Sequence, residues 1–169
     1  MVNRAFKFHS SSAHSHATDL YEFMLERNLC KPGIVVISDG GWDCNVKSDL
    51  VFMSNYRLWR KSDKDFLITV HYAPGYSAYN PIEQAWSPLS KALSGVVFSN
   101  LVPGEVLPPF QQNLTAHEEE EKMKIVLDNA GANLCQIWNG LQIKDIPVES
   151  VYKSCDHMDK VWDDFDDVN

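Results

Sequence analysis

No stretch of the sequence approaches the roughly 18 consecutive apolar residues of a membrane span, and no charged-then-apolar opening of the signal-peptide kind is present. An intracellular protein with no membrane partner is the expectation. No C-x-x-C pair occurs either: Cys30, Cys44, Cys135 and Cys155 are scattered, without a histidine at metal-ligand spacing, and read as free thiols. Neither a G-x-G-x-x-G fingerprint nor a P-loop lysine is found, which leaves a nucleotide-binding α/β protein without its usual signature. There is no internal repeat. The first 17 residues contain no Asp and no Glu.

What the chain does have is enough for one well-buried domain: 169 residues, 44% hydrophobic and 11% aromatic, with 22% charged. Its net charge of -8 argues against simple nucleic-acid binding until the charge is located. Residues 156–169 hold six aspartates and one lysine, so most of the excess lies in the tail and the body is near neutral. A local basic patch, as phosphate contacts require, is compatible with that body. The expected organisation is an N-terminal strand or loop over 1–17, one α/β body over 18–155 and an acidic tail over 156–169.

Arg4 to Phe8 alternates like a short strand, and His9, His14 and His16 follow in a serine-rich stretch. Three close histidines suggest a metal, but no carboxylate or cysteine accompanies them locally, so a solvated loop is the plainer reading. Thr18 is positioned to cap a helix to about Leu29, with Leu20, Phe23 and Met24 at helical spacing for the buried face and Pro32-Gly33 as its stop. Ile34 to Ser38 is β-branched and apolar on both faces, as in a central strand covered on both sides, and it ends in Asp39-Gly40-Gly41. Lys47 to Lys64 predicts a helix with Phe52, Tyr56 and Trp59 on one face and Arg57, Lys61 and Lys64 on another. The basic face reads as solvated surface or, more sharply, as a DNA-backbone contact. Phe66 to Tyr72 is a second strand, and the helical connection before it has the length a parallel βαβ crossover needs.

After a turn at Ala73-Pro74-Gly75, Asn80 can cap a further helix, with Pro81 at its first position and Glu83 three residues after the cap, as in a capping box. Its stripe of Ile82, Trp86, Leu89 and Leu93 is expected to pack on the sheet, with a kink or restart at Pro88. Gly95 to Leu101 is a candidate short strand. Thr115 and Glu118 form another capping box, opening a helix along Met123, Leu127, Ala130, Leu134 and Trp138 in which Gly131 is a weak point. Leu141 to Tyr152 is strand or loop.

Asp39, just beyond one strand, and Glu83, in the first turn of the helix after the neighbouring strand, are positioned to face each other. Carboxylates brought together repel unless a cation lies between them, and oxygen-only ligation favours Mg²⁺ or Mn²⁺ over zinc. Here the residues resemble a family. Ile37-Ser38-Asp39-Gly40-Gly41 looks like the second-aspartate strand end of the DDE transposase and retroviral integrase superfamily. Ala73-Pro74-Gly75-Tyr76-Ser77 through Asn80-Pro81-Ile82-Glu83-Gln84-Ala85-Trp86 looks like its glutamate motif.

The resemblance covers roughly residues 30 to 95 and implies a partial RNase H-like fold, a mostly parallel sheet flanked by helices with its early strands missing. It implies two-metal DNA cleavage and strand transfer as the ancestral chemistry, Mg²⁺ (or Mn²⁺) as cofactor, and DNA as partner. Asp39 and Glu83 would be the second and third metal-binding acids, His71 would orient substrate or water, and Arg57, Lys61 and Lys64 would contact nucleic acid. The family's first aspartate belongs on an opening strand that residues 1–17 do not supply. The expectation is therefore a fragment inactive alone, completed by self-association or by an upstream segment. The alternative is a noncatalytic DNA-binding or protein-interaction module of transposase origin. A nuclear location follows only by resemblance.

Overall fold

In a computed structural model of the chain, residues 2–4, 11–39, 41, 43–45, 47–73, 75–76 and 79–154 are described. They form a mixed α/β structure that divides into two compact units. The described part of one lies within residues 11–83; that of the other comprises residues 2–4 and 84–154.

In the first unit, Ser12 has an extended backbone and opens helix α1 (Ala13–Glu26) through a reciprocal capping box with Ser15. The helix thus starts earlier than expected, and His14 and His16 belong to its first turn rather than to a loop. Thr18 is not a cap. It lies inside the helix, fully buried, with its hydroxyl donating to the His14 carbonyl at 3.0 Å. Strand β2 (Gly33–Ser38), helix α2 (Asp49–Ser62) and strand β3 (Phe66–His71) make the expected parallel crossover, in register from Gly33↔Phe66 to Ser38↔His71.

Ala17 and Met24 of α1, Ile34 of β2 and Leu58 of α2 form the core of this unit, with Leu20, Tyr21, Val36 and Leu67 packed around it. Leu58 is 1% exposed, a burial that stabilises by about 1.5–3 kcal/mol. Helix α2 turns Val51, Ser54 and Leu58 inward. The aromatic stripe Phe52, Tyr56 and Trp59 faces a cavity of about 410 Å³ that Phe66 and Leu67 also line. Phe23, expected inside, is exposed beneath Arg27. The strand pair is covered on one face only. Val35, Ile37, Ile68 and Val70 are exposed on the other, so β2 is not the doubly covered central strand its composition suggested.

The second unit is built on helix α4 (Ala116–Asn139), capped as expected by the Thr115–Glu118 box. Strand β1 (Val2–Arg4) pairs in parallel with the last described strand, Val151–Lys153, and both lie against α4. Asn3 Nδ2 donates to Ser150 Oγ at 2.7 Å, Asn139 Nδ2 donates to the Ser150 carbonyl at 2.9 Å, and the Ser150 N–H donates back to Asn139 Oδ1. Gly131 is no weak point. A Cβ there would come within 2.2 Å of the Tyr152 ring, so the missing side chain is what admits the ring.

Helix α3 (Pro81–Ala92) runs through Pro88 without restarting. Its Leu89 is 1% exposed and its Trp86 ring meets Trp138 of α4 edge-on at 5.9 Å. Within this unit Trp86 and Leu89 thus meet Trp138 of α4, while Ile82, outside the unit, is exposed. Residues 95–101 are irregular, beginning at Gly95 with φ +77°, where a strand was expected. After a 3₁₀ turn at Pro109–Gln111, strands β4 (Gln142–Ile143) and β5 (Ile146–Pro147) form a two-residue hairpin. Lys144 and Asp145 both take positive φ at its tip, as the twist of such a hairpin demands. The final strand, β6 (Val151–Lys153), completes the described chain. The expected strand over Arg4–Phe8 begins earlier, at Val2, and residues 5–8 lie outside the described residues, as does the acidic tail.

Candidate functional site

Asp39 and His71 lie at the carboxyl end of the β2–β3 pair, and Glu83 follows twelve residues after His71. Asp39 follows Ser38 directly and is exposed; its Oδ1 accepts the Gly41 N–H at 3.0 Å, an Asx turn. Glu83 sits in the first turn of α3 and is also exposed. Asn80 caps that turn as expected, its Oδ1 accepting from Ile82 N at 3.2 Å. The reciprocal half of a capping box is absent, because the Glu83 carboxylate has no hydrogen-bond or ion-pair partner among the described residues. No bond joins Asp39 to Glu83, and among the described residues neither belongs to a three-ligand group.

His71 pairs with Ser38 across the strands, and its Nδ1 lies 2.6 Å from the Ser38 hydroxyl. Its Nε2 is buried with no hydrogen-bond partner among the described residues. The three basic residues do not form one face. Helix α2 stops where Asp63 turns left-handed at φ +50°, so Lys64 lies off the helix, donating to the Leu29 carbonyl at 3.0 Å. Lys61 stands over the Tyr21 ring at 5.7 Å. Arg57 is half-buried, with no such engagement.

A second constellation, missed from sequence, lies beside Asp39. His16 Nε2, in the first turn of α1, is 3.0 Å from Asp43 Oδ2, and the Ser11 hydroxyl is 2.9 Å from the same imidazole nitrogen and donates to Asp43 Oδ2 at 3.2 Å. Cys44 completes a group in which one ligand atom from each of His16, Asp43 and Cys44 lies within 4.8 Å of the others. Together with Ser38 they line a cavity of about 60 Å³ that Leu20, Val36, Val51 and Leu58 also line.

Burial pushes the Cys44 thiol above its ordinary range; the Asp43 and Asp39 charges add to this, and a hydrogen bond from Ser38 opposes it. For Asp43, burial acts upward, but the bonds from His16, from its own backbone N–H and from Ser11 outweigh it and hold the carboxyl below its ordinary value. The sequence carried a partial signal here. His16 was a candidate ligand set aside for want of a nearby carboxylate or thiol, and both arrive from a segment 27 residues later in the chain.

Among the described residues no helix is long and apolar enough to cross a membrane. Comparison with protein-family models, with curated proteins and with solved structures finds no match to this chain.

Proposed function

We propose that residues 33–83 are the second half of an RNase H-like centre of the DDE transposase and retroviral integrase type, in which Asp39 and Glu83 bind a divalent cation, Mg²⁺ or Mn²⁺. The observation that carries this reading is the parallel register of β2 and β3. Ser38 lies level with His71, so Asp39 and the segment leading to Glu83 leave the strands at the same carboxyl end, where open α/β folds gather functional groups. The donors suit such a cation in kind. Exposed carboxylate oxygens, with Asp39 Oδ2 and both Glu83 oxygens uncommitted among the described residues, leave room for the waters Mg²⁺ retains.

A bound cation supplies Lewis-acid stabilisation of charge on a phosphoryl oxygen. The chain's part is to present the two carboxylates from a strand end and a capped helix, and to hold the His71 ring through Ser38. Cleavage in such centres uses three acids as a unit, and residues 1–17 contribute none. The proposed activity of these 169 residues is therefore cation-dependent DNA binding without cleavage on their own. Mn²⁺ titration followed by electron paramagnetic resonance is expected to show binding weakened at least about tenfold by Asp39→Asn and by Glu83→Gln. Unchanged Mn²⁺ affinity in both variants refutes the reading.

A second reading, a noncatalytic DNA-binding module, rests on Arg57, the one member of the basic trio without an engagement among the described residues. Salt-sensitive DNA binding that Arg57→Glu abolishes and that ignores divalent cations selects it over the first.

A further inference from the structure

We infer that His16, Asp43 and Cys44 form a site for a zinc-type divalent cation, separate in its ligands from Asp39 and Glu83. One imidazole, one carboxylate and one thiol are the donor set that borderline-soft Zn²⁺ takes, and that Mg²⁺ does not. Three protein ligands with a fourth position left to water is the open arrangement of tetrahedral zinc. The geometry is close to what the ion needs. Zinc–ligand bonds of roughly 2.0–2.3 Å put tetrahedral ligand atoms about 3.3–3.8 Å apart, and here the atoms already lie within 4.8 Å of one another.

The surroundings are those of a supported site. The Ser12–Ser15 capping box holds the α1 turn that carries His16, Ser11 bonds Asp43 from the side, and Ser38 reaches Cys44. The His16 side chain is 48% exposed and that of Asp43 22%, so solvent reaches the cluster, while Leu20, Val36 and Leu58 line the same cavity. Binding breaks the direct His16–Asp43 hydrogen bond, leaves His16 ligating through a proton-free Nε2 with the ring proton on Nδ1, and releases the Cys44 thiol proton to solvent. The ion then ties the start of α1 to the loop just after Asp39, fixing the segment that connects β2 to α2.

The test uses the full chain, stripped with a chelator, with Co²⁺ and Zn²⁺ as probes. Co²⁺ is expected to give a thiolate-to-metal charge-transfer band with one ion per chain, displaced by Zn²⁺ and lost in Cys44→Ser. Zn²⁺ affinity is expected to fall at least about tenfold in His16→Gln and in Asp43→Asn, and to stay unchanged in Cys30→Ser, whose thiol is exposed and remote in sequence. Zinc is also expected to slow alkylation of Cys44 but not of Cys30 in the unmodified chain, a readout that does not depend on any variant folding. Absence of the thiolate band, its survival in Cys44→Ser, or alkylation of Cys44 indifferent to zinc overturns the inference. Glu83→Gln separates this site from the proposed Mg²⁺ centre, since it is expected to leave Zn²⁺ binding intact while weakening Mn²⁺ binding.

Discussion

The two units of the chain treat their polar groups in opposite ways. In the unit of residues 2–4 and 84–154, polar side chains are spent on structure. Asn3, Asn139 and Ser150 bond one another and the backbone, Tyr152 donates to Asp128 at 2.9 Å, and Lys122 bridges Glu105 and Gln112. In the unit of residues 11–83, several chemically active groups are less committed among the described residues: Glu83 without a partner, His71 with an orphaned Nε2, and Cys44 beside an imidazole and a carboxylate. Buried polar groups cost free energy unless bonded. The proposed binding chemistry draws on the groups within residues 11–83, and the unit of residues 2–4 and 84–154 is the framework against which they are compared.

Deleting the centre of the scaffold has the largest expected effect. Trp138 is 4% exposed and its Nε1 donates to the Leu89 carbonyl at 3.2 Å, so Trp138→Ala is expected to cost about 4 kcal/mol in urea unfolding. Amide exchange should show the lost protection in α3 and α4. Leu58→Ala, at the core of the other unit, is expected to cost about 3 kcal/mol, with protection lost from β2 and β3. A Trp138 variant that loosened β2 and β3 as much as α4 would break the comparison.

The two crowded glycines sharpen it. A Cβ on Gly33 would come within 2.1 Å of the Phe66 ring, and one on Gly131 within 2.2 Å of the Tyr152 ring. Phe66 is 45% exposed and free to swing aside, whereas Tyr152 is tethered through its hydroxyl to Asp128. Gly131→Ala is therefore expected to destabilise by about 1–3 kcal/mol despite alanine's better helix propensity. Gly33→Ala is expected to cost less, and thermal unfolding of the two variants measures the order.

The smallest effect is a pH dependence. The Asp43 carboxyl titrates lower in the folded chain than in the unfolded one. The stability it contributes is thus fully present above the ordinary aspartate range and is lost as pH falls through its depressed folded value. Asp43→Asn is expected to cost below about 1 kcal/mol at neutral pH, as partly exposed polar pairs do. The difference from the unmodified chain should vanish in acid, which urea unfolding at neutral and low pH checks.

Much of the framework of residues 11–83 was legible in the residues, because a parallel crossover is written in local terms. Ile34 to Ser38 and Phe66 to His71 are β-branched runs, and the helix between them has its own periodicity. Which face of each element was buried was less legible. Phe23, Phe52 and Tyr56 have the composition of core residues and are exposed, because burial depends on what packs opposite and not on side-chain type. Of the candidate site, Asp39 and Glu83 were visible through motif and cap and His16 only as one of three close histidines, whereas its meeting with Asp43 and Cys44 was not, since their proximity depends on the path of a loop.

By itself, then, the sequence determined what a few neighbouring residues decide: the βαβ crossover, the Asn80 and Thr115 caps, and the exposed acids beside them. Tertiary structure alone decided the parallel pairing of Val2–Arg4 with Val151–Lys153, the Trp86–Trp138 contact that draws α3 onto α4, and the His16–Asp43–Cys44 cluster. The physical reason is range. Caps and periodicity act within a turn or two of backbone, whereas these contacts join residues far apart in the chain, and they form only because burying apolar surface elsewhere offsets the entropy of bringing them together.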